Sequence, residues 1–497
     1  MTAAPASPVE RLTGALTAEY LEYHGLLPLR REDGAVVVAT WLDAPDVQAL
    51  DDLRLIFARE LRLVRSPEDD LRQLIRRLYG EQPLTAEQTI ADIGVAAAEG
   101  AGPDAALDDL VALAGEAPVV RLVNLLLLEA LDARASDIHL EAYANELRVR
   151  YRIDGVLLDA PSPPKSLAAA VISRVKIMAD LDIAERRVPQ DGRIRLTLRN
   201  RQVDVRVSTV PILHGESVVL RLLDKERGRI GLEDLGMAGD TLRALGEAIG
   251  RPHGIVLATG PTGSGKTTTL YAAVDRIRTG REKILTVEDP VEYELPGVAQ
   301  MPVHEKVGVT FASALRALLR QDPDVLLVGE IRDEETAEIA THAALTGHLV
   351  LSTLHTNDAA GALTRLLDLG VAPYLVASTV EVVLAQRLVR VICDGCREAV
   401  EPDAATRALV GHAEGTPLHA CRGAGCDRCR GTGYRGRTGI YELLVLDDEV
   451  RGALQTGAGR LRQLAVVRGM RTLREDGLRQ VRAGVTTLDE VLRVTRA

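Results

Sequence analysis

Residues 260–267 follow the pattern G-x-x-x-x-G-K-[ST], which cradles phosphate groups in proteins. The glycines of such a loop let backbone N–H groups point inward around an anion, while Lys266 reaches the β and γ phosphates and the Thr267 hydroxyl holds Mg²⁺. The sequence therefore predicts magnesium at Thr267 and nucleotide contacts from a run of nine residues: Gly260, Pro261, Thr262, Gly263, Ser264, Gly265, Lys266, Thr267 and Thr268.

The surroundings of this loop suit a phosphate site. The apolar run Ile255–Ala258 predicts a buried strand before the loop, and the amphipathic stretch Leu270–Ile277 predicts a helix after it. A helix N-terminus adds a dipole that favours an anion. The alternative is an ordinary glycine-rich turn between a strand and a helix, and the combined pattern favours the phosphate loop.

Two further strands end in carboxylates. Lys283–Val287 is followed by Glu288-Asp289-Pro290, and Val325–Val328 is followed by Gly329-Glu330. Hydrolysis of a phosphoanhydride needs a carboxylate to orient water and help to hold Mg²⁺. Because parallel sheets place ligands at the carboxyl ends of their strands, Glu288 and Glu330 are both candidates for this role.

A histidine lies at each end of a third apolar strand, within the segment 346–357. A single histidine beside a strand is more often structural than catalytic. Here His348 and His355 follow a phosphate loop and two strands that end in carboxylates. This order makes a γ-phosphate sensor the competing interpretation.

The five cysteines all lie between Cys393 and Cys429. Cys393-x2-Cys396 and Cys426-x2-Cys429 form two knuckles of the kind that supply four thiolates to a tetrahedral, structural zinc ion. The alternative is that they are buried or redox cysteines. Cys421 departs from the pattern, as a spare thiol or a substitute ligand. No basic helix with interleaved aromatic residues accompanies the knuckles, so a nucleic-acid finger is not indicated.

Acidic and basic residues alternate with apolar ones between residues 136 and 208. The strand around Ile138 presents Asp137, His139 and Glu141 on one face, and Leu147–Ile153 presents three arginines. Arginines recur in the segments 190–193 and 204–208. One interpretation is a solvated sheet whose basic and acidic faces pair, and the other is a positive face that contacts nucleotide phosphates across an interface.

Bulk properties exclude several classes of protein. The chain has 497 residues, 46% hydrophobic and 26% charged, and a net charge of −11, which argues against general nucleic-acid binding. Its longest apolar stretch, Leu122–Leu131, is too short and too polar to span a bilayer. The N-terminus lacks the pattern of a signal peptide, so we expect a cytoplasmic protein.

Composition and periodicity predict a multidomain α/β protein with five successive regions. They are an N-terminal α/β module over 1–80, a linker over 81–116, a middle domain over 117–224, a hinge over 225–232, and a C-terminal nucleotide domain over 233–497 that includes the cysteine insert at 393–437.

The order of these motifs resembles the secretion ATPase superfamily. Glu288-Asp289-Pro290 is similar to its aspartate box, Gly329–Asp333 to its atypical second P-loop motif, and Thr346–Asn357 to its histidine box. The segments 135–139, 251–255 and 266–271 are similar to the GspE branch, the assembly ATPases of type II secretion. The resemblance is strong over 118–497 and weak over 1–116.

This resemblance implies an ATPase with a RecA-like core, a PAS-like middle domain, a tetracysteine zinc insert and an N-terminal module that docks on a membrane platform. Within the core, Lys266 would bind the phosphates and Glu330 would position Mg²⁺ and water. The same comparison makes Glu288 the general base and His355 the γ-phosphate sensor. Arg193 and Arg206 would contact the nucleotide from the middle domain.

The resemblance also implies partners. They are ATP, further copies of the chain in a ring that is expected to be a hexamer, and GspL-like and GspF-like proteins of the inner-membrane platform. Through these partners the protein would associate peripherally with the inner membrane, and motion about the hinge would drive assembly of a pseudopilus. No nucleic-acid partner is expected.

Three alternatives remain open at this point. A type IV pilus assembly ATPase shares every catalytic motif. A RecA-like nucleic-acid translocase conflicts with the net charge of −11. A nucleotide-binding scaffold without hydrolysis conflicts with the presence of Lys266, Thr267, Glu288 and Glu330. Retraction ATPases are related, but they lack the N-terminal module and the cysteine insert.

Overall fold

The computed structural model alternates helices and strands along most of the chain. Apart from a few isolated positions, it describes residues 18–32, 35–57, 59–78, 86–88, 117–198, 201–224, 230–401, 420–456 and 460–495. Most of the predicted linker, and residues 225–229 of the predicted hinge, lie outside these ranges. The chain divides into two units, Met1–Glu129 with Pro161–Arg174, and Ala130–Ala160 with Val175–Ala497. Within the described ranges, no helix has the length and apolarity needed to cross a bilayer.

The first unit contains a three-stranded sheet in the order β1-β2-β3. Strands β1 and β2 are antiparallel, whereas β3 returns parallel to β2 after a crossover helix. Alternate residues of β2, Val36 and Val38, are fully buried and pack with Leu53 and Leu71 of the helices. This confirms the α/β module predicted in the N-terminal region. Its elements are α1 (Ala18–His24), β1 (Leu26–Glu32), β2 (Ala35–Thr40), α2 (Val47–Phe57), β3 (Glu60–Arg65) and α3 (Glu68–Leu78); α4 (Ala117–Asp132) and α5 (Ala168–Met178) also begin in this unit.

The second unit contains a six-stranded sheet in the order β6-β5-β4-β9-β8-β7, in which every neighbouring pair is antiparallel. Its strands are β4 (Asp137–Ala142), β5 (Leu147–Ile153), β6 (Val156–Asp159), β7 (Gln190–Leu198), β8 (Arg201–Ile212) and β9 (Gly215–Asp224).

Charges on this sheet pair across neighbouring strands. The register of β4 and β5 sets Asp137 opposite Arg152 and His139 opposite Arg150. Arg150 lies 2.7 Å from Glu141, and Arg152 lies 3.8 Å from Asp137. The interpretation that the basic strand pairs with its acidic neighbour is therefore confirmed for these residues.

A larger, seven-stranded sheet in the same unit has the order β12-β11-β13-β14-β10-β15-β18. All of its neighbouring pairs are parallel except β15 and β18. The strands are β10 (Gly254–Thr259), β11 (Ile284–Glu288), β12 (Ala299–Pro302), β13 (Val325–Val328), β14 (Leu349–Leu354), β15 (Val380–Ile392) and β18 (Tyr434–Val445).

Both faces of this sheet are covered, which explains why its strands are apolar without alternation. Ile255 and Leu257 of β10 pack into one core, and Val256 and Ala258 pack into the core on the opposite face. The helices of this part of the chain are α6 (Gly239–Ile249), α7 (Lys266–Ile277), α8 (Phe311–Leu318), α9 (Glu334–Leu345), α10 (Ala359–Asp368), α11 (Pro373–Thr379), α12 (Asp448–Thr456), α13 (Leu461–Val467), α14 (Leu473–Arg482) and α15 (Leu488–Thr495).

The cysteine insert connects the two strands of the sheet's antiparallel end. β15 leads directly into Cys393, and β18 returns from the second knuckle. Between them, β16 (Arg397–Val400) and β17 (Ala420–Gly423) form a separate antiparallel pair. The long ladder of β15 and β18 thus holds the insert at the end of the nucleotide domain's sheet.

Candidate functional site

The predicted phosphate loop lies between β10 and α7, at the carboxyl end of a central strand. Gly260, Gly263 and Gly265 have φ angles of +151°, +78° and +89°, which residues with side chains rarely adopt. A Cβ added to Gly260 would lie 2.6 Å from the Ser264 hydroxyl, so the loop closes only with glycine there. The helix begins at Lys266, as phosphate binding at its N-terminus requires.

Lys266 is folded back onto this loop. Its Nζ donates hydrogen bonds to the carbonyls of Gly260, at 2.8 Å, and Pro261, at 3.2 Å. Burial lowers its pKa; Glu330 opposes this shift and the like charge of Arg387 adds to it. The buried Ser264 hydroxyl has no hydrogen-bond partner in the described part of the chain. A buried cation and a free hydroxyl in one loop fit a phosphate ligand.

Gln386, which was not among the predicted site residues, supports the loop from β15. Its Nε2 donates to the Ser264 carbonyl at 2.6 Å, and its Oε1 accepts from the Thr269 hydroxyl at 2.8 Å. The side chain is 1% exposed. The available signal was a single polar amide inside the apolar run of β15, because a buried amide needs partners.

Arg387, also missed, connects the strands beside the loop. Its guanidinium donates to the carbonyls of Asn357, at 3.0 Å, and Gln386, at 3.1 Å. Burial lowers its pKa, and Glu442 and Asp358 oppose that shift. Next to it, the hydroxyls of Thr259 and Thr356 lie 2.7 Å apart. The segment after β14 is therefore attached to the strand that carries the phosphate loop.

Glu330 and His355 meet at the carboxyl ends of β13 and β14, which are neighbouring strands. His355 Nε2 lies 2.9 Å from Glu330 Oε2, and Arg332 forms an ion pair with the same carboxylate. Burial acts to raise the pKa of Glu330, but the hydrogen bonds from Arg332 and His355 outweigh it and hold that pKa below its usual value. An ionised carboxylate at this edge suits Mg²⁺ or a water molecule.

The two histidines of the predicted sensor lie at opposite edges of the sheet. His348 precedes β14, and its Nδ1 lies 2.8 Å from the Ala343 carbonyl at the end of α9. Because β10 and β14 are parallel, the phosphate loop shares an edge with His355 and not with His348. The structure thus leaves His355 as the candidate.

Glu288 occupies a different environment from Glu330, since it is 3% exposed and surrounded by donors. Tyr271 donates to one carboxylate oxygen. Thr286 at 2.5 Å and Gln300 at 3.1 Å donate to the other. Burial and the neighbouring Glu288 charge raise the pKa of Tyr271, so the phenol remains a donor. Glu288 is held in place by protein groups, whereas Glu330 lies beside a histidine that is half exposed.

Arg206 of β8 reaches the segment that follows the aspartate box. Its Nη2 lies 3.3 Å from the Val291 carbonyl and 3.4 Å from Glu292 Oε2. Arg193 lies opposite it on β7 and is exposed. The Arg206 Nε is buried and has no partner among the described residues. The structure therefore brings Arg206 next to the candidate catalytic segment and gives Arg193 no such contact in the described chain.

The four predicted knuckle cysteines converge. The sulfur atoms of Cys393, Cys396, Cys426 and Cys429 all lie within 4.8 Å of one another, and three of their separations are 3.7–3.9 Å. A zinc ion about 2.3 Å from each sulfur gives tetrahedral edges of about 3.8 Å, so this donor set fits zinc. Cys421 lies on β17 opposite Ala399, outside the cluster.

Backbone amides also point at this cluster. Gly425 N–H donates to Cys396 at 3.3 Å, and Gly433 N–H donates to Cys429 at 3.2 Å. Burial acts to raise the pKa of Cys429, but the amides of Cys426 and Gly433 lower it to about 6. Burial raises the pKa of Cys396 to about 12. With four thiol ligands and no open position, the donor set suits a structural ion.

Comparison with known proteins identifies two regions of this chain. Residues 112–493 match the family described as "Type II/IV secretion system protein", and residues 3–84 match the MshEN domain. Type II secretion system protein E of Pseudomonas aeruginosa is 48% identical over 99% of this chain and 98% of that protein. Type II secretion system ATPase E of Vibrio cholerae is 45% identical over 94% of this chain and 93% of that protein.

Solved structures agree on the fold. The pilus retraction motor PilT with bound ADP has a TM-score of 0.53 and 27% identity, covering 75% of this chain and 96% of that one. The Legionella pneumophila ATPase DotB, at 22% identity and a TM-score of 0.56, covers 75% of this chain and 94% of its own. Since identity near one half extends over nearly the full length of both proteins, the chain belongs to the type II secretion system protein E family of secretion ATPases.

Proposed function

We propose that this ATPase hydrolyses MgATP between its phosphate loop and the Glu330–His355 pair, and uses the energy to assemble the pseudopilus of type II secretion. The observation that carries the proposal is the meeting of Lys266, Glu330 and His355 at one edge of the larger sheet. Phosphoryl transfer to water depends on positioning and charge stabilisation, which these residues provide without a covalent intermediate.

Each residue has a proposed role. The backbone N–H groups of 260–268, except at Pro261, and the Lys266 ammonium bind the phosphates. Thr267 and Glu330 hold Mg²⁺, which neutralises phosphate charge when bound. His355 donates towards the γ phosphate, and its bond to Glu330 fixes its orientation. Glu288 is the proposed general base. Its three protein donors imply that it must exchange one of them for water when it acts.

We further propose a cytoplasmic ring, a hexamer, bound to inner-membrane platform proteins like GspL and GspF through the N-terminal module. Arg206, and Arg193 opposite it, would add positive charge to the nucleotide site from the middle domain, with bending at 225–232. The proposed domain limits are those predicted from sequence, and the proposed ion at the four cysteines is zinc.

ATP hydrolysis by the purified full chain tests this function. Turnover should rise with the cytoplasmic domain of a type II platform protein and should not respond to DNA or RNA. Lys266→Ala should abolish turnover, while Lys306→Ala, which removes an exposed lysine elsewhere, should retain it. Stimulation by nucleic acid alone would instead identify a translocase, and turnover that survives Lys266→Ala would remove the phosphate loop from the mechanism.

A further inference from the structure

A cavity of about 80 Å³ lies between the β5–β6 turn of the six-stranded sheet and the cysteine insert. Five arginines line it: Arg134, Arg390, Arg428, Arg430 and Arg435. Only two aspartates share the lining, so it carries three excess positive charges in a chain whose net charge is −11. A water molecule occupies about 30 Å³, and this cavity therefore has room for a small oxyanion.

Most of these arginines are not neutralised by the protein. Arg390 pairs with Glu490 at 2.8 Å. No hydrogen bond or ion pair engages the side chains of the other four within the described ranges, and all four are exposed. The nearby Asp154 is already engaged, because it accepts from the Gly436 N–H at 2.7 Å and lies 3.7 Å from Arg437. Asp132 and Asp154 are the carboxylates of the lining, and the five guanidinium groups outnumber them.

Three residues that line the cavity also have an unusual backbone conformation. Arg134, Asp154 and Arg430 have φ angles of +61°, +49° and +52°. In the described chain five non-glycine residues have positive φ, and three of them line this one cavity. Glycine, asparagine and aspartate adopt this conformation most readily, whereas arginine does so at a cost. Two arginines in a conformation that glycine would adopt more easily indicate that their side chains are needed.

We propose that this cavity is a binding site for a phosphate group, separate from the nucleotide site. Guanidinium groups match the oxygen geometry of phosphate with paired N–H donors, and several converging arginines favour a dianion over a carboxylate. Arg134 comes from the segment before β4, Arg428 and Arg430 come from the second cysteine knuckle and the residue after it, and Arg435 comes from the start of β18. A bound phosphate would therefore connect the insert to the six-stranded sheet.

The experiment uses the full-length Lys266→Ala protein, so that the phosphate loop does not dominate the response. Inorganic phosphate is titrated while hydrogen–deuterium exchange is followed in peptides that cover 132–136 and 428–436. Exchange in both segments should slow together. Arg134→Gly with Arg430→Gly should raise the half-saturating phosphate concentration at least about 10-fold without lowering the melting temperature, since glycine relieves the backbone.

Two controls separate the site from general effects. Asp322→Gly gives the same backbone relief at φ +53° outside the cavity, and should leave phosphate protection unchanged. Arg397→Ala with Arg422→Ala removes two exposed charges from the insert, and should also retain protection. Arg435→Gln, where the backbone carries no such constraint, should weaken binding if the glycine variants fail to fold.

The source of the phosphate group is resolved by comparing vesicles of phosphatidylglycerol with vesicles of phosphatidylcholine. Protection by free phosphate assigns a soluble ligand, and protection only by phosphatidylglycerol assigns a lipid headgroup. If neither slows exchange in the two segments, or if the charge control loses as much protection as the cavity variants, the proposal is wrong.

Discussion

At the residue scale, local patterns predicted the groups that lie close together in sequence. The phosphate loop, both carboxylates and the four cysteines were found this way, because each motif carries its own spacing. Gln386 and Arg387 were not. Gln386 contacts Ser264 across 122 positions, and only the order of strands in the larger sheet brings β15 beside β10. Strand order is not encoded in any local pattern.

Gln386→Ala should weaken nucleotide binding through the phosphate loop. The change removes the Gln386 acceptor of the buried Thr269 hydroxyl and the side-chain donor to the Ser264 carbonyl, at about 1–3 kcal/mol. We expect a higher KM for ATP and a lower melting temperature. Gln321→Ala, at an exposed glutamine, is the matched control. An unchanged KM alongside a lower melting temperature would limit Gln386 to a purely structural role.

At the element scale, the buried parallel strands were the most predictable, because both faces are covered and apolar runs mark them directly. Val325–Val328 was predicted with the bounds that the structure has. The two histidines around β14 show the limit of this approach. Periodicity placed both next to the strand, but the parallel pairing with β10 decides which of them meets the phosphate loop.

Replacing Cys426 and Cys429 with serine should remove the bound metal and loosen the insert. Their sulfur atoms are 3.8 Å apart, and each knuckle supplies half of the four ligands. Metal analysis should find one zinc ion per wild-type chain and none in the variant. Cys421→Ser should retain zinc, because Cys421 lies outside the cluster. A zinc-free wild-type protein, purified without chelators, would contradict the assignment.

The last helix, α15, is attached to β15 by a buried ion-pair cluster. Glu490 is 1% exposed and lies 2.8 Å from Arg390 and 2.5 Å from Arg493. Burial acts to raise its pKa, but both arginines outweigh it and lower the pKa to about 2 from 4.5. Because the folded-state value is the lower one, this stabilisation is present above pH 4.5 and is lost as the pH falls towards 2.

Glu490→Gln should therefore lower the free energy of unfolding by about 1–3 kcal/mol at pH 7, since Arg390 and Arg493 lose a charged hydrogen-bond partner. The difference from wild type should narrow at pH 3.5 in urea unfolding. Glu449→Gln, at an exposed pair with Arg468, should cost less than about 1 kcal/mol. A loss that stays constant with pH would show that charge is not the cause.

At the scale of the whole molecule, composition and motif order predict a succession of modules, and two family models match residues 3–84 and 112–493. The contact of Arg206 with the segment after the aspartate box could not be predicted, because it joins a strand of the six-stranded sheet to a loop 85 and 86 positions further along the chain. Alternating arginines looked equivalent in the sequence. Pairing across β4 and β5 neutralises some of them, whereas Arg206 contacts the loop that follows β11.

Arg206→Ala should slow hydrolysis by about 10-fold or more, while the affinity for ATP changes less, if the guanidinium stabilises charge that develops during phosphoryl transfer. Comparison of kcat with the Kd of an ATP analogue measures this. Arg195→Ala on β7, where no nucleotide contact is proposed, is the matched control and should leave both values near wild type. Equal kcat in wild type and Arg206→Ala would show that Arg206 only pairs with Glu292 and has no role in hydrolysis.

Strand β15 carries Gln386 in its middle and runs without interruption into Cys393. Seven residues of extended chain span about 23 Å, and β18 pairs with them on both sides of a register shift between Arg390 and Ile392. The insert and the phosphate loop are thus connected through one strand. A displacement of the insert would therefore shift Gln386, although the two sites are not in direct contact. If a metal ion holds the four cysteines together, a chain stripped of that ion should bind ATP more weakly, even though Cys393 lies seven residues along the strand from Gln386.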